Sequence, residues 1–312
     1  MHAAVVTSFD APPTYQQFPT PTARTPHEVL VDVVAAGLHP RVRSQADGSH
    51  YTSTDELPLV PGIDGVGRAP DGSLRYFVLP DTRMGAMAEH TIVDLHRSIT
   101  LPDDVDPVLV AAAMNPAMSS WVALRRRIEF TPGQEVLVLG ASGNAGRMAV
   151  QVARRLGASR VIGAARNPDR MADIGADATV GLDEIGPVAR DVDVVIDYVW
   201  GQPTAEAMRA VVTDRADESK PLTWIQIGSV AGPTAQIPAA ALRAVRLRIV
   251  GSGQGSVSTR DILAELPALV EEIARGTFTI NARPVALADV ATAWRQTGED
   301  QRIVLTPTTA GS

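Results

Sequence analysis

From Glu135 onward the apolar positions come in short solid runs, separated by glycine-marked turns and amphipathic stretches. Val136-Leu137-Val138-Leu139 is apolar without alternation, as a strand buried on both faces should be. It enters Gly140-Ala141-Ser142-Gly143-Asn144-Ala145-Gly146, after which Met148, Ala149, Val152, Ala153 and Leu156 recur at helical spacing. Arg154 and Arg155 fall in the last turn of that helix and Gly157 reads as its C-cap. Residues 160–165 form a second strand. Asn167 and Pro168 then read as the N-cap and first residue of a second helix that Gly175 ends. Residues 192–197, 222–227 and 247–250 are three later strands. This repetition predicts an α/β fold with a doubly wound parallel sheet.

The chain before about residue 115 has a different texture, rich in Pro and His with short alternating runs. Residues 29–34 and 88–93 are strand candidates, while Pro12, Pro13, Pro19, Pro21, Pro26, Pro58 and Pro61 interrupt the stretches around them. This part reads as a small, irregular β-rich domain. After Gly251 the pattern predicts a helix at 262–275, a strand at 284–287, a helix at 288–295 and a strand at 302–305. These pieces do not continue the strand-helix alternation and are expected to complete the first domain. The expected division is therefore 1–115 with 252–312, and 116–251.

Composition narrows the function. The 312 residues leave room for about two domains. No run of about 18 uninterrupted apolar residues is present, and the opening Met1-His2-Ala3-Ala4-Val5-Val6 has no basic segment leading into an apolar one. No membrane span and a cytoplasmic location are expected. With no cysteine, the chain offers no disulfide, thiolate nucleophile or Cys-liganded metal. A net charge of −7 and a pI near 5.4 argue against a nucleic-acid surface. The expected partner is a small molecule.

The glycine turn is the strongest chemical signal, because it follows a buried strand and opens a helix, where a dinucleotide pyrophosphate binds. Ala141 stands at the first glycine position of the pattern, with Gly143 and Gly146 at the second and third. The alternative is a tight strand-to-helix turn with no ligand. An NAD site would carry an Asp or Glu about 20 residues on. Here that place reads Ala164-Ala165-Arg166, and Arg166 and Arg170 offer guanidinium forks suited to a 2′-phosphate. The expected cofactor is NADPH; the alternative for both arginines is a solvated surface charge.

Taken together, these residues resemble the medium-chain dehydrogenases/reductases, and within them the zinc-independent, zeta-crystallin-like quinone oxidoreductases. The resemblance rests on Glu28-Val29-Leu30-Val31 with Ala35-Ala36-Gly37, Pro61-Gly62-Ile63-Asp64-Gly65-Val66-Gly67, Ala88-Glu89-His90, Gly133-Gln134-Glu135-Val136-Leu137-Val138, Ala149-Val150-Gln151-Val152-Ala153, Ala288-Asp289-Val290-Ala291 and Arg302-Ile303-Val304-Leu305-Thr306-Pro307. It implies a GroES-like catalytic domain built from both chain ends, a Rossmann NADPH-binding domain between them, and reduction of a substrate in the cleft.

Departures matter as much. Zinc-dependent members carry a Cys just after the Ala-x-Gly turn and a Gly-His-Glu in the next glycine motif, where this chain has His39 and Gly62-Ile63-Asp64. A catalytic zinc wants three protein ligands and a water, so no metal is expected. The acceptor is then a quinone or conjugated enone. Tyr51 resembles the tyrosine of many quinone reductases and of the enoyl-thioester reductase branch, and is the candidate proton donor, or a loop aromatic. His39 either donates a hydrogen bond or fills space, and Asn115 approaches the nicotinamide or caps a helix. Further cofactor contacts are Ser142, Asn144 and Ala145 of the glycine turn and, carried over to strand ends, Tyr198, Val199, Trp200, Gly228, Ser229, Ser252, Gly253 and Gln254. Trp200 stands where the family tends to have Gly, either packing or lining the substrate pocket. Relatives imply a homodimer joined through the strand at 247–250. An enoyl-thioester reductase and a catalytically idle NADPH-binding sensor are the alternative functions.

Overall fold

The structure, a computed structural model, describes residues 1–296 and 301–307. It divides into two compact units, Met1–Asn115 with Leu266–Ser312, and Pro116–Glu265.

The chain opens with strands β1 (His2–Val5), β2 (Thr14–Gln17) and β3 (Glu28–Gly37), helix α1 (Pro40–Ala46), and strands β4 (Asp64–Arg68), β5 (Leu74–Val78), β6 (His90–Asp94) and β7 (Ser98–Thr100). Helix α2 (Pro107–Val122) and a π-helical turn (Ala123–Arg127) lead into β8 (Glu135–Leu139), α3 (Asn144–Arg155), β9 (Arg160–Ala165), β10 (Ala178–Gly181), α4 (Ile185–Val188), β11 (Val194–Asp197), α5 (Gly201–Thr213), β12 (Leu222–Gln226), α6 (Ala241–Ala244) and β13 (Leu247–Gly251). The chain closes with α7 (Thr259–Ala274), β14 (Ala282–Ala286), α8 (Val290–Arg295) and β15 (Arg302–Thr306).

In the second unit six parallel strands run in the order β10-β9-β8-β11-β12-β13. Connections therefore leave β8 toward one edge and resume at β11 toward the other. The crevice at the carboxyl ends of β8 and β11 is the topological switch point of a doubly wound sheet, where such folds bind ligands. The solid apolar runs are explained by burial on both faces: Leu137, Ile162, Val195 and Trp224 are fully enclosed and pack with Met208 and Val211 of α5.

In the first unit, β3 is the long central strand of a largely antiparallel sheet ordered β14-β15-β3-β4-β5-β7, with β6 also paired to β3. Val31, Phe77, Met87, Val93 and Leu305 pack in its core. β15 pairs with β3 through Leu305 and Ala36, so residues near the two ends of the described chain share one sheet. The return to this unit begins at Leu266, inside α7, rather than at 252. Glu265 is buried at 3% exposure and accepts bonds from Trp121 Nε1 at 2.9 Å and from Arg125 and Arg126, which tie the early part of α7 to the second unit.

Three differences from the sequence reading have physical causes. The helix expected after Asn167 is one 3₁₀ turn, Pro168–Met171, capped by Asn167 accepting from the Asp169 N–H at 3.0 Å. Guanidiniums on α3 take up its surroundings: Arg147 Nη2 donates to the Arg170 carbonyl and Arg154 Nε to that of Gly175. β10 went unseen because its four residues form an edge with only Gly181 fully buried. α2 went unseen because its face pattern is nearly uniform, Val110 to Ala113, Met114 and Ala117 all being buried. The stretch Pro107–Arg127 has mean hydropathy 1.3 and is long enough to cross a membrane, yet 67% of its most apolar window is buried inside the protein, as in a core helix.

Candidate functional site

In the second unit the site starts at the end of β8. Gly140 leaves the strand at φ 83, its N–H and that of Ala141 donating to the Ala164 carbonyl of β9 at 2.8 and 3.1 Å. Gly146, in the first turn of α3, passes so close that a Cβ there would lie 2.2 Å from the Gly140 oxygen and 2.6 Å from the Ala141 Cα. Only glycine fits. Gly143 is different: a Cβ would meet nothing nearer than the Gly140 oxygen at 3.6 Å, at an ordinary φ of −81. No neighbour in the chain excludes a side chain at 143, whereas a pyrophosphate lying on the loop would. The N–H groups of Asn144, Ala145 and Gly146, first in α3, have no acceptor within the helix and suit an anion.

Arg147 follows at once. Positive charge in a first helical turn opposes the macrodipole, and the contacts explain it: Nε donates to the Ser142 carbonyl at 3.2 Å and Nη2 to that of Arg170. The side chain thus ties the glycine turn to the loop after β9. That loop presents Arg166 and Arg170, both exposed, beyond the buried Ala164 and Ala165. No carboxylate stands at the end of β9. The pattern reading passed over Arg147, although a basic residue in that turn was itself the signal.

Asp197, the last residue of β11, is fully buried. Oδ1 accepts from the N–H groups of Val199 at 2.8 Å and Trp200 at 3.0 Å; Oδ2 accepts from Thr204 Oγ1 at 2.7 Å and Trp224 Nε1 at 2.9 Å. This holds Trp200 at φ 54 and ψ −165, a region nearly reserved for glycine and costing about 1–3 kcal/mol for other residues. Tyr198 packs beside Gly140, its hydroxyl 2.8 Å from Ser119 Oγ and its pKa pushed up to about 12 by burial, so the phenol stays protonated. Gly228 presses on the Tyr198 backbone, where a Cβ would lie 2.7 Å from the carbonyl oxygen. Ser229 is exposed beside it. Ser252 and Gly253 lie at the same sheet end but beyond β13, the outermost strand, the Ser252 N–H donating to the Gln226 carbonyl at 2.8 Å.

In the first unit His39 directly precedes α1 and is 2% exposed. Its Nε2 lies 3.0 Å from Asp64 Oδ1, while Tyr76 donates to Asp64 Oδ2 at 2.7 Å. Burial lowers the His39 pKa against the opposing pull of the Asp64 bond. A neutral ring that gives its Nε2 proton to Asp64 leaves Nδ1 as a bare acceptor, and Nδ1 is buried with no partner among the described residues. His39 is therefore placed to accept a bond rather than to donate one. Tyr51 is 73% exposed and stacks on His50 at 4.3 Å. His50 Nδ1 bonds Thr52 Oγ1 at 2.9 Å, and Thr52 and Arg41 both bond Asp81. Asn115 is half-buried in the middle of α2, ahead of Pro116, and caps no helix end. Among the described residues no three His, Cys, Asp or Glu side chains gather as a metal site.

No family model matches the chain. The protein named "Probable NADPH-dependent quinone reductase tdiC" of Emericella nidulans is 31% identical, across 98% of this chain and 100% of that one. An NADPH-dependent alkenal/one oxidoreductase, chloroplastic, of Arabidopsis thaliana is 27% identical over 65% of this chain and 63% of its own. Among solved structures, the quinone oxidoreductase of Thermus thermophilus, determined also with NADPH, superposes with TM-score 0.77 at 26% identity, covering 98% of this chain and 100% of that one. The architecture is thus that of solved quinone oxidoreductases. The chain belongs to the quinone oxidoreductase family of the medium-chain dehydrogenases/reductases.

The buried histidine generates a pH prediction. Its ordinary pKa is 6.5 and its folded value is lower, so the unfolded chain binds more protons and stability falls as pH drops through 6.5. His50, pushed to about 4 mainly by burial, contributes with the same sign. In thermal melts from pH 7 to 5, the melting temperature should fall, and His39→Asn should flatten that fall, leaving the part due to His50. An unaltered pH slope in the variant would contradict the assignment.

Proposed function

We propose that the protein is an NADPH-dependent reductase of quinones and conjugated enones. The observation that carries the reading is the loop at Gly143, open to a ligand and closed to nothing in the chain, joined through Arg147 to a second loop bearing Arg166 and Arg170. In this reading the first N–H groups of α3 hold the pyrophosphate, and Arg166 and Arg170 hold the 2′-phosphate. NADPH, when bound, supplies the hydride.

The remaining roles fall to the first unit. Tyr51 Oη gives a proton to the reduced acceptor; its exposure and its stack on His50 support this over His39, whose one proton is committed to Asp64. Asn115 offers an amide to the acceptor. The reaction runs without zinc, because Asp64 binds His39 and Tyr76 rather than converging with further ligands.

The reading includes a cytoplasmic homodimer. β13 ends the six-stranded sheet with Leu247, Ile249 and Val250 only partly buried, an edge that a second copy would pair.

Four measurements test this. NADPH oxidation should be supported by quinones and enones, with NADPH bound more tightly than NADH. Arg166→Ala should raise the NADPH Kd about 5- to 30-fold, the effect of about 1–2 kcal/mol from a screened charged contact, and leave NADH nearly unchanged. Equal affinity of the unmutated protein for both cofactors would sink the 2′-phosphate assignment, and turnover of enoyl thioesters alone would favour the thioester reductase. Tyr51→Phe should keep NADPH binding and lower enone turnover about 100- to 10,000-fold; unchanged turnover would pass the proton to solvent. Light scattering at micromolar concentration should give twice the 33.0 kDa chain mass, and a monomer mass would remove the dimer.

A further inference from the structure

Trp200 occupies a conformation that suits glycine, at φ 54, and Gly201 follows it at φ 68. The turn itself does not call for an indole. Asp197 holds it through the N–H groups of residues 199 and 200, and those bonds would hold a glycine equally well. The tryptophan stands there against its backbone preference.

Position supplies the reason. Trp200 stands three residues past the carboxyl end of β11, beside β8 at the switch point of the sheet. Three loops converge there. A Cβ on Gly140 would lie 3.2 Å from Val199 Cγ2, and one on Gly201 would lie 2.9 Å from the Ala231 carbonyl oxygen. The Ala231 N–H donates to the Val199 carbonyl at 2.9 Å. Residues 198–201 are therefore pinned between the glycine turn after β8 and the loop after β12.

The indole differs from the protein's other tryptophans. Trp121 bonds Glu265, Trp224 bonds Asp197, and Trp294 lies under the Arg43 guanidinium at 5.3 Å. The half-buried Trp200 side chain makes no hydrogen bond and no ring contact among the described residues. A large flat surface is thus held by a rigid turn, next to the proposed cofactor loop, with no hydrogen bond or ring contact of its own among the described residues.

We propose that Trp200 is a specificity-determining residue of the acceptor site, an aromatic wall that favours planar ring acceptors, the quinones, over acyclic enones. The proposal rests on the reading of the protein as an NADPH-dependent reductase of both classes. Stacking against an indole rewards a flat π-system and does little for a short aliphatic chain.

The test compares 1,4-naphthoquinone with 3-buten-2-one for the wild type, Trp200→Gly and Trp200→Phe. In Trp200→Gly the ratio of kcat/KM for the quinone over the enone should fall about 3- to 10-fold, through the quinone KM. The NADPH Kd should stay within about twofold, and the melting temperature should hold or rise as the backbone relaxes. Trp200→Phe should recover most of the ratio. An unchanged ratio with a lower melting temperature would make Trp200 a packing residue, and a weakened NADPH Kd with an unchanged ratio would make it a wall of the cofactor; either overturns the proposal. A wild type that reduces neither acceptor would overturn the functional reading and this proposal with it, whereas one active on both leaves the ratio to decide the proposal alone.

Discussion

Four donors converge on one buried carboxylate, and the carboxyl end of the parallel sheet is organised around it. Asp197 closes β11, starts α5 through Thr204, fixes the turn at residues 199 and 200, and anchors β12 through Trp224. A buried carboxylate is costly unless its lone pairs are filled. Here four donors fill them, two from the turn after β11, one from α5 and one from β12. The same residue's backbone carbonyl receives the N–H groups of Ile227 and Gly228, so strand pairing continues into the loop after β12. That network, together with the buried Tyr198 and Val199, joins β11, α5 and the loop after β12 at this end of the sheet.

The glycine turn depends on the opposite kind of constraint, the absence of atoms. α3 can begin within a few residues of β8 only because Gly146 has no Cβ to strike the Gly140 oxygen. Beyond the turn, the polar face of α3 takes over. Arg147 and Arg154 donate to carbonyls at 170 and 175, and Arg154 also pairs with Asp177 at 2.8 Å. A loop with one 3₁₀ turn is thereby held by the neighbouring helix, which positions Arg166 and Arg170 with little secondary structure of their own.

In the first unit, polar burial is handled differently. His39, Asp64 and Tyr76 form a closed chain in which the carboxylate accepts both hydrogen bonds, leaving one imidazole nitrogen without a partner among the described residues. Nearby Arg302, at 5% exposure, donates to the Leu38 carbonyl, and burial lowers its pKa to about 10. The family resemblance rests partly on residues flanking this group, Ala35-Ala36-Gly37 and Pro61-Gly62-Ile63.

How much of this was legible follows from sequence distance. The run from Glu135 to Ala165 was readable because each signal acts on near neighbours: a solid apolar strand, a turn that excludes Cβ, an amphipathic helix, and Gly157 at φ 95 closing it. The missing carboxylate at Ala164 and Ala165 was readable for the same reason. Asp197 drew no notice, since its importance depends on Trp224, 27 positions later, which meets it only when β11 and β12 pair. The Asp64 partnership with His39 spans 25 positions, and β15 finds β3 across most of the chain. The sequence alone determined the fold class, the glycine turn and the charge set beside it, because local sterics and periodicity encode them. Tertiary structure decided which polar groups share a proton and which helix holds the loop after β9, because each depends on contacts made only after elements distant in the sequence have packed together.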